Sequence, residues 1–514
     1  MKKNLFFIKS ENHNCYLFNR NQKLLSNIHP LVYFYAKVEE YFPELVNKCL
    51  NGDFSDLQNQ NFPPRWFDLF KREDWEYHYL YYKKLVKNHC FEEKNMNRLG
   101  FQLTPESIKY QVANLKQLTF EITDACNLKC KYCAYGEMYC DKDERRDSYL
   151  KFEGIKCLID YLVECWTSSL NTSFMKKIYI SFYGGEPLLN IDFIYKTVEY
   201  FKTIANKISN IRFVFNLTTN GVLLDKYIDY FVKENISLLV SLDGDKKNNS
   251  YRIYHNNSEC FEQVFKNVRM IKEKHPVFFE KNINFNAVLH NRNSIEEIYE
   301  FFQNEFEKIP AVTHISNSGI KKEKESKFQQ MFQSVYESLL KSDNYISIEK
   351  KLFTSIPTVN SASIFVHRNL YQFYDNYAHL FENPEIFPRT PTGTCEPFGK
   401  KMFVTVNGKI LACERIGQQY ELGKILNNNV ELNYVEIANR YNNYFNKIRN
   451  FCDNCYISEE CTQCLFYLSP ENSTVNCNNH INKVNYEKHL SSQMTFFENK
   501  PEMFNKIVNN VIYA

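Results

Sequence analysis

The sequence has no uninterrupted run of about 18 apolar residues, the length a membrane-spanning helix needs. Its start, Met1-Lys2-Lys3-Asn4-Leu5-Phe6-Phe7-Ile8-Lys9, holds too short an apolar run for a secretion signal. The expectation is a cytoplasmic protein that meets no membrane. Net charge is almost absent: 63 Lys and Arg stand against 60 Asp and Glu, a balance of +3. That excludes the general electrostatic footprint of a nucleic-acid or membrane-surface binder. The longest charged run, Lys321 to Lys327, alternates in sign as a solvated helix face does and is assigned no function. No internal repeat is present, which excludes a repeat architecture.

What is present is length enough for two or three domains: 514 residues can bury a large core. From about residue 116, short runs rich in β-branched and aromatic residues alternate with segments of helical period. Strands are predicted at Leu118 to Thr123, Lys177 to Phe182, Ile211 to Thr218, Ile236 to Leu242, Ile283 to Leu289 and Ala311 to Ser316. Strands alternating with helices imply a parallel sheet, curled or open, with its chemistry at the C-terminal strand ends. Before it, a hairpin (Leu5 to Ile8 with Cys15 to Phe18) and helices around Leu31 to Leu50 and Trp75 to Lys87 suggest a separate small domain. After it, residues 320–390 read as helical, punctuated by Pro357, Pro384 and Pro388, and residues 395–480 as cysteine-dense and irregular.

The 17 cysteines are the informative residues. In a reducing compartment, clustered thiols are more often metal ligands than disulfides. Just past the first strand, Cys126, Cys130 and Cys133 are spaced C-x3-C-x2-C. Three thiolates suit a 4Fe-4S cluster with one open iron, whereas structural zinc takes four protein ligands. A zinc site completed by Cys140, or three unrelated thiols, are the alternatives on spacing alone.

With the aromatic Tyr132 before its last cysteine, this run resembles the signature of the radical S-adenosylmethionine (radical SAM) superfamily. Gly184-Gly185-Glu186-Pro187 after the second strand is similar to that family's Gly-Gly-Glu-Pro motif, in which the turn meets the methionine amino group and glycines permit close approach to the ligand. Asn220, and the Ser241 to Asp243 stretch, resemble motifs at the third and fourth strands, and Arg252 resembles the arginine that meets the cofactor carboxylate. The resemblance implies S-adenosyl-L-methionine as cofactor, contacted by Tyr132, Gly184, Gly185, Glu186, Pro187, Asn220, Ser241, Asp243 and Arg252. It also implies an external electron donor such as flavodoxin or ferredoxin, and a 5'-deoxyadenosyl radical that abstracts a substrate hydrogen.

Seven further cysteines follow: Cys395, Cys413, Cys452, Cys455, Cys461, Cys464 and Cys477. Without a family, C-x2-C-x5-C-x2-C reads equally as a zinc knuckle. The arrangement resembles the SPASM extension of radical SAM enzymes that act on peptides and proteins, departing from it in the two-residue gap between Cys461 and Cys464. The resemblance implies one auxiliary cluster on Cys452, Cys455, Cys461 and Cys477, and another on Cys395, Cys413 and Cys464 with its fourth position open, making three 4Fe-4S clusters in all. Glu414 stands where sulfatase-maturing relatives carry an acidic catalytic residue, and could deprotonate a substrate radical. Cys15, Cys49, Cys90, Cys140, Cys157, Cys165 and Cys260 have no ligand spacing; Cys140, in the loop after the catalytic cysteines, could face a substrate.

The implied fold is a partial (β/α)6 TIM-like barrel with a small N-terminal α+β domain and a cysteine-rich SPASM domain. Its divisions are 1–115 (a winged-helix-like module that could capture a leader peptide by strand addition), 116–320 (radical SAM core), 321–394 (helical bridge), 395–480 (SPASM) and 481–514 (helical tail). The expected function is a radical SAM oxidoreductase that modifies or cross-links side chains of a ribosomally made precursor peptide. A sulfatase-maturing, formylglycine-generating enzyme is the alternative, and a non-enzymatic metal-binding or electron-transfer protein the second.

Overall fold

The computed structural model describes residues 4–20, 23–42, 45–46, 48, 51, 53, 69–88, 102–173, 176–208, 210–353, 356–370, 390–472 and 475–511. Three strands open the chain: β1 (Leu5–Lys9), β2 (Cys15–Asn19) and β3 (Leu24–Asn27), a small antiparallel sheet in that order. Ten more form one large sheet. Six of them, β4 (Gln117–Thr123), β5 (Lys176–Gly184), β6 (Ile211–Thr219), β7 (Ser237–Ser241), β8 (Ile283–Leu289) and β9 (Ala311–His314), are neighbours in chain order. Every pairing among them is parallel. Helices including Phe152–Thr167, Ile191–Ala205, Leu224–Glu234, Phe261–Lys274 and Ile295–Phe306 fill the crossovers. Together they make an α/β fold with a large parallel sheet, a partial (β/α)6 barrel with a C-terminal extension.

Period-two alternation divides each strand between two environments. On β4, Leu118, Phe120 and Ile122 enter the apolar core with the helices, so Thr119, Glu121 and Thr123 point to the opposite face. The same alternation sends Ser181 and Tyr183 of β5 to that polar face, while Ile180 and Phe182 join the core. Each of the six predicted strands forms, the fourth and sixth shorter than expected, because pairing stops at Ser241 and at His314.

The cysteine-dense segment is more regular than its composition suggests. It contains β10 (Lys401–Val404), β11 (Lys409–Leu411), β12 (Gly423–Leu426), β13 (Asn429–Leu432) and a 20-residue helix, Tyr434–Asp453. Strand β10 pairs parallel to β4, and β11, β12 and β13 follow antiparallel, so the extension continues the main sheet. Asn433 caps the long helix by accepting from Glu436 N at 3.2 Å.

At the N-terminus the first predicted helix runs only over Pro30–Tyr41, and the second spans Arg72–Lys87. They pack through Leu31, Phe34, Tyr35, Val38, Trp75 and Tyr82. Helix Pro105–Ala113 contributes Ile108 and Val112 to the main core instead. The small sheet is not free-standing, because Phe6, Ile8 and Phe18 share a core with Phe365 and Val366 and with Tyr486, Leu490 and Met494 of helix Lys483–Asn499. Arg20, buried just past β2, donates to Tyr456 O at 2.8 Å and stacks 4.6 Å from the Tyr486 ring. Pro357 starts helix Pro357–Phe365, as a proline at the first helical position should. Cys49, Cys90, Pro384 and Pro388 lie outside the described residues.

Candidate active site at the C-terminal strand ends

The loop carrying Cys126, Cys130 and Cys133 leaves the end of β4 and is pinned from the opposite side. Lys129 N donates to Ile253 O at 2.7 Å and Lys131 N to Tyr251 O at 3.0 Å. The three thiols are near enough to feel one another's charge. Burial, the larger influence, pushes the Cys126 thiol up to about 11 and the Cys130 thiol further. The loop also supplies donors to sulfur: Arg145 Nη2 reaches Cys133 Sγ at 3.4 Å, and Leu128 N and Asn220 Nδ2 reach Cys126 Sγ at 3.4 and 3.8 Å. Among the described residues, no three His, Cys, Asp or Glu side chains are gathered closely enough to hold a single metal ion.

Gly184 and Gly185 pack tightly against the root of the cysteine loop. An added Cβ at Gly184 would overlap Thr123 O, and one at Gly185 would overlap Ala125 O. Gly184 also has φ +133°, open to glycine and strained for other residues. The close approach that requires glycine is therefore chain against chain, the second strand end against the root of the cysteine loop. Gly185 N donates to Thr123 O at 2.8 Å and Glu186 N to Ala125 O at 2.9 Å. Pro187 begins a short 3-10 turn, Pro187–Asn190. The Glu186 carboxylate is wholly buried and accepts from Leu188 N (3.0 Å), Thr219 Oγ1 (2.8 Å) and Asn220 N (2.7 Å). It ties the second strand end to the third, while Asn220 Nδ2 donates to Asn127 Oδ1 at 2.7 Å and so reaches the cysteine loop.

Arg252, Asp243 and Tyr132 form one buried group. Arg252 Nη2 and Nε each lie 3.2 Å from Asp243 Oδ1, the Tyr132 hydroxyl donates to Asp243 Oδ2, and the guanidinium sits 5.6 Å from the Tyr132 ring centre. Val288 N donates to Asp243 Oδ1 at 3.0 Å, and the Asn293 side-chain Nδ2 donates to Asp243 O at 3.3 Å. Next to it, burial lowers His290 to about 4 and keeps it neutral. Ser241 ends β7, half-buried, opposite Asn286.

Glu414 lies across the polar face, where Lys401 Nζ donates to both carboxylate oxygens at 3.0 Å. Burial opposes its charge most strongly, but Lys401 and Arg415 prevail and hold the carboxyl below its ordinary range. Tyr183, near the end of β5, feels the charges of Glu414, Cys133 and Glu121. Glu121, unremarked in the sequence, is buried with Oε2 accepting from Val406 N at 3.0 Å. A charged residue inside the apolar run from Leu118 to Ile122 is the signal that identifies it. Lys142, which donates to Glu414 O at 3.0 Å and Ile416 O at 2.6 Å, carries no such signal because it sits in a loop.

The C-terminal thiols fall into two neighbourhoods. Cys452 interacts with Cys461, Cys455 and Cys477, and burial raises it to about 12. Cys464 feels the charge of Cys395, and Tyr441 feels that of Cys464, Cys395 and Cys413. Cys140 is exposed, with Sγ 3.4 Å from Gly319 O.

A parallel βα sheet thus carries a three-cysteine loop at its first strand end, and its C-terminal extension carries seven further cysteines in two neighbourhoods. The sequence profile of the radical SAM superfamily matches residues 120–304, and the chain carries a radical SAM domain of that enzyme family, which uses S-adenosylmethionine and a 4Fe-4S cluster. Among curated proteins, the radical SAM cyclopropyl synthase TigE of Paramaledivibacter caminithermalis is 20% identical over 83% of this chain and 80% of its own length. A cysteine-type anaerobic sulfatase-maturating enzyme of Clostridium novyi is 26% identical over 37% of this chain and 48% of its own length. Among solved structures, native anSMEcpe with bound AdoMet has a TM-score of 0.50 at 18% identity, covering 77% of this chain and 99% of that one, a likeness of fold. No helix among the described residues is long and apolar enough to cross a membrane.

Burial, partly offset by the bonds from Asn220, Leu188 and Thr219, raises the Glu186 carboxyl from 4.5 to about 7. The folded chain therefore keeps a proton that the unfolded chain has lost between those values, so this group's contribution is complete below about pH 4.5 and falls as pH rises to about 7. Glu186→Gln removes that dependence. Urea unfolding between pH 5 and 7 should show the variant losing less stability with rising pH than the native chain, by up to about 1.4 kcal/mol per pH unit.

Proposed function

We propose that the protein is a radical SAM peptide maturase that oxidatively modifies or cross-links side chains of a ribosomally made precursor. The observation that carries this reading is the small N-terminal sheet, docked through Arg20 and Tyr486 beside the second auxiliary cysteine group. The breadth of the TigE alignment supports it, spanning 83% of this chain against 37% for the sulfatase-maturating relative. A second reading, sulfatase maturation, is favoured by Glu414 beside Cys413 and by the fold shared with anSMEcpe.

In this reading Cys126, Cys130 and Cys133 hold the catalytic cluster, and Cys395, Cys413 and Cys464, with Cys452, Cys455, Cys461 and Cys477, hold two auxiliary ones. The sulfur-directed bonds from Arg145, Leu128 and Asn220 suit an anionic sulfur group at the first site. Cluster and S-adenosylmethionine together supply a 5'-deoxyadenosyl radical. The chain's own residues do the rest. The Gly184 to Asn220 contacts brace the cysteine loop, Arg252 offers its cation beside Tyr132, and Glu414, kept ionised by Lys401, accepts a proton from the substrate. The external electron donor, a flavodoxin or ferredoxin, belongs to the same proposal, as does a cytoplasmic location.

Anaerobically reconstituted, dithionite-reduced protein should form 5'-deoxyadenosine from S-adenosylmethionine, and Cys126→Ala, Cys130→Ala, Cys133→Ala together should reduce this to background by chromatography. Native protein of full iron content that forms none, even with the candidate peptide, would overturn the reading.

Glu414→Gln should lower modified peptide by about 100-fold or more, the usual contribution of a positioned base, while 5'-deoxyadenosine still accumulates. Mass spectrometry of both products gives the ratio, and an unchanged ratio removes Glu414 from the mechanism.

Leader capture by strand addition would use an outer strand of the small sheet, and β3 is one. Deleting residues 1–110 would also take Arg20 from Tyr456, so a finer change is needed. In an edge strand alternate N–H groups face outward, so one of Leu25→Pro and Ser26→Pro should weaken binding of a fluorescein-labelled peptide from a short reading frame beside the gene by about 10-fold. Unchanged anisotropy in both excludes this strand.

A further inference from the structure

Tyr441 lies in helix Tyr434–Asp453, the helix whose last turn carries Cys452. Its side chain is fully buried, and its hydroxyl has no hydrogen-bond partner among the described residues. A buried hydroxyl left unpaired is costly, so an orphan of this kind calls for a partner that the described residues do not supply. The ring is held by Phe466, 5.6 Å away at 82°, and by Phe445 at 5.9 Å, so the hydroxyl has little freedom to seek another direction. Phe466 is two residues beyond Cys464, and Cys413 and Cys464 both pack against the core that contains Tyr441. The charged groups that the hydroxyl feels are Cys464, Cys395, Cys413 and Arg440. Three of the four are the cysteines of the first auxiliary group, the one for which the sequence offers three thiols and no fourth.

We propose that Tyr441 donates its phenolic hydrogen to a sulfur of the iron-sulfur cluster held by Cys395, Cys413 and Cys464, and so sets that cluster's reduction potential. Hydrogen bonds to cluster or ligand sulfur spread its negative charge and favour the reduced state. An ordinary phenol titrates at about 10, so at neutral pH the oxygen carries its hydrogen and serves as donor, not as an anionic iron ligand. Tyr441 is a positioning and tuning residue in this account, since it touches the cluster and not the substrate. The inference rests on the assignment of that cluster.

The test uses full-length protein carrying Cys126→Ala, Cys130→Ala and Cys133→Ala, reconstituted without oxygen, so that every remaining signal is auxiliary. Adding Cys395→Ala, Cys413→Ala and Cys464→Ala should remove about half of the remaining iron and identify the first cluster's electron paramagnetic resonance. Tyr441→Phe, which deletes one oxygen, should keep the iron and sulfide content, move that cluster's midpoint potential to more negative values, and abolish a deuteron coupling seen in native Tyr441 protein exchanged into D2O. If the three-cysteine change removes no iron, the cluster assignment fails and the inference with it. If iron is lost there but Tyr441→Phe alters neither potential nor deuteron coupling, the cluster stands and the hydrogen bond is refuted. Loss of the iron on Tyr441→Phe also overturns it, because a hydroxyl that only donates is not needed for assembly.

Discussion

The parallel pairing of β10 with β4, Lys401 against Gln117 through Val404 against Phe120, is the constraint from which the arrangement of the site follows. Without it β4 would be an open sheet edge, with unpaired backbone beside the cysteine loop. With it, a segment almost 300 residues downstream closes that edge and brings its own chemistry. Val406 N reaches Glu121, Lys401 reaches Glu414, and Lys142 of the cysteine loop's extension grips the carbonyls of Glu414 and Ile416. The face between the two cysteine regions thus contains Tyr183, Glu121 and Glu414 instead of apolar side chains.

The electrostatics of this face depend on how each charge is compensated. Glu414 is only half-buried and stays ionised because a lysine meets both its oxygens. Glu186 is buried without a cation and is held by neutral donors, so its proton affinity rises. Asp243 takes a third course, paired with Arg252 and hydrogen-bonded by Tyr132. The three carboxyls therefore differ in kind: a charged base candidate, a brace between strand ends, and an anchor for the arginine beside Cys130.

The N-terminal sheet adds a longer connection. Glu460, next to Cys461, accepts from the Tyr486 hydroxyl at 2.6 Å, lies 3.1 Å from His489 Nε2 and faces Arg20 at 3.8 Å. Arg20 holds Tyr456, next to Cys455. The buried Arg20–Glu460 pair, with His489 and Tyr486 also on Glu460, joins the first strands of the chain to its last long helix and to the loop carrying Cys455 and Cys461.

The sequence by itself determined the local and the periodic: six βα strands, the three-cysteine loop, the turn after β5 and the cysteine groups, because alternation and fixed spacing are properties of neighbouring residues. It also marked Glu186 and Arg252, but not their partners. Only the tertiary structure decided that Gly184 and Gly185 serve contact between chain segments, that Glu186 faces Asn220 and not open space, and that the irregular-looking cysteine segment completes the main sheet. Tyr441 shows the limit most plainly. It is one of 36 tyrosines, and nothing in its neighbours along the chain distinguishes it. Its hydroxyl, unpartnered among the described residues and sensing the charge of three distant cysteines, exists in that setting only once the helix is folded, because burial and contact at long sequence separation are products of packing and leave no periodic trace.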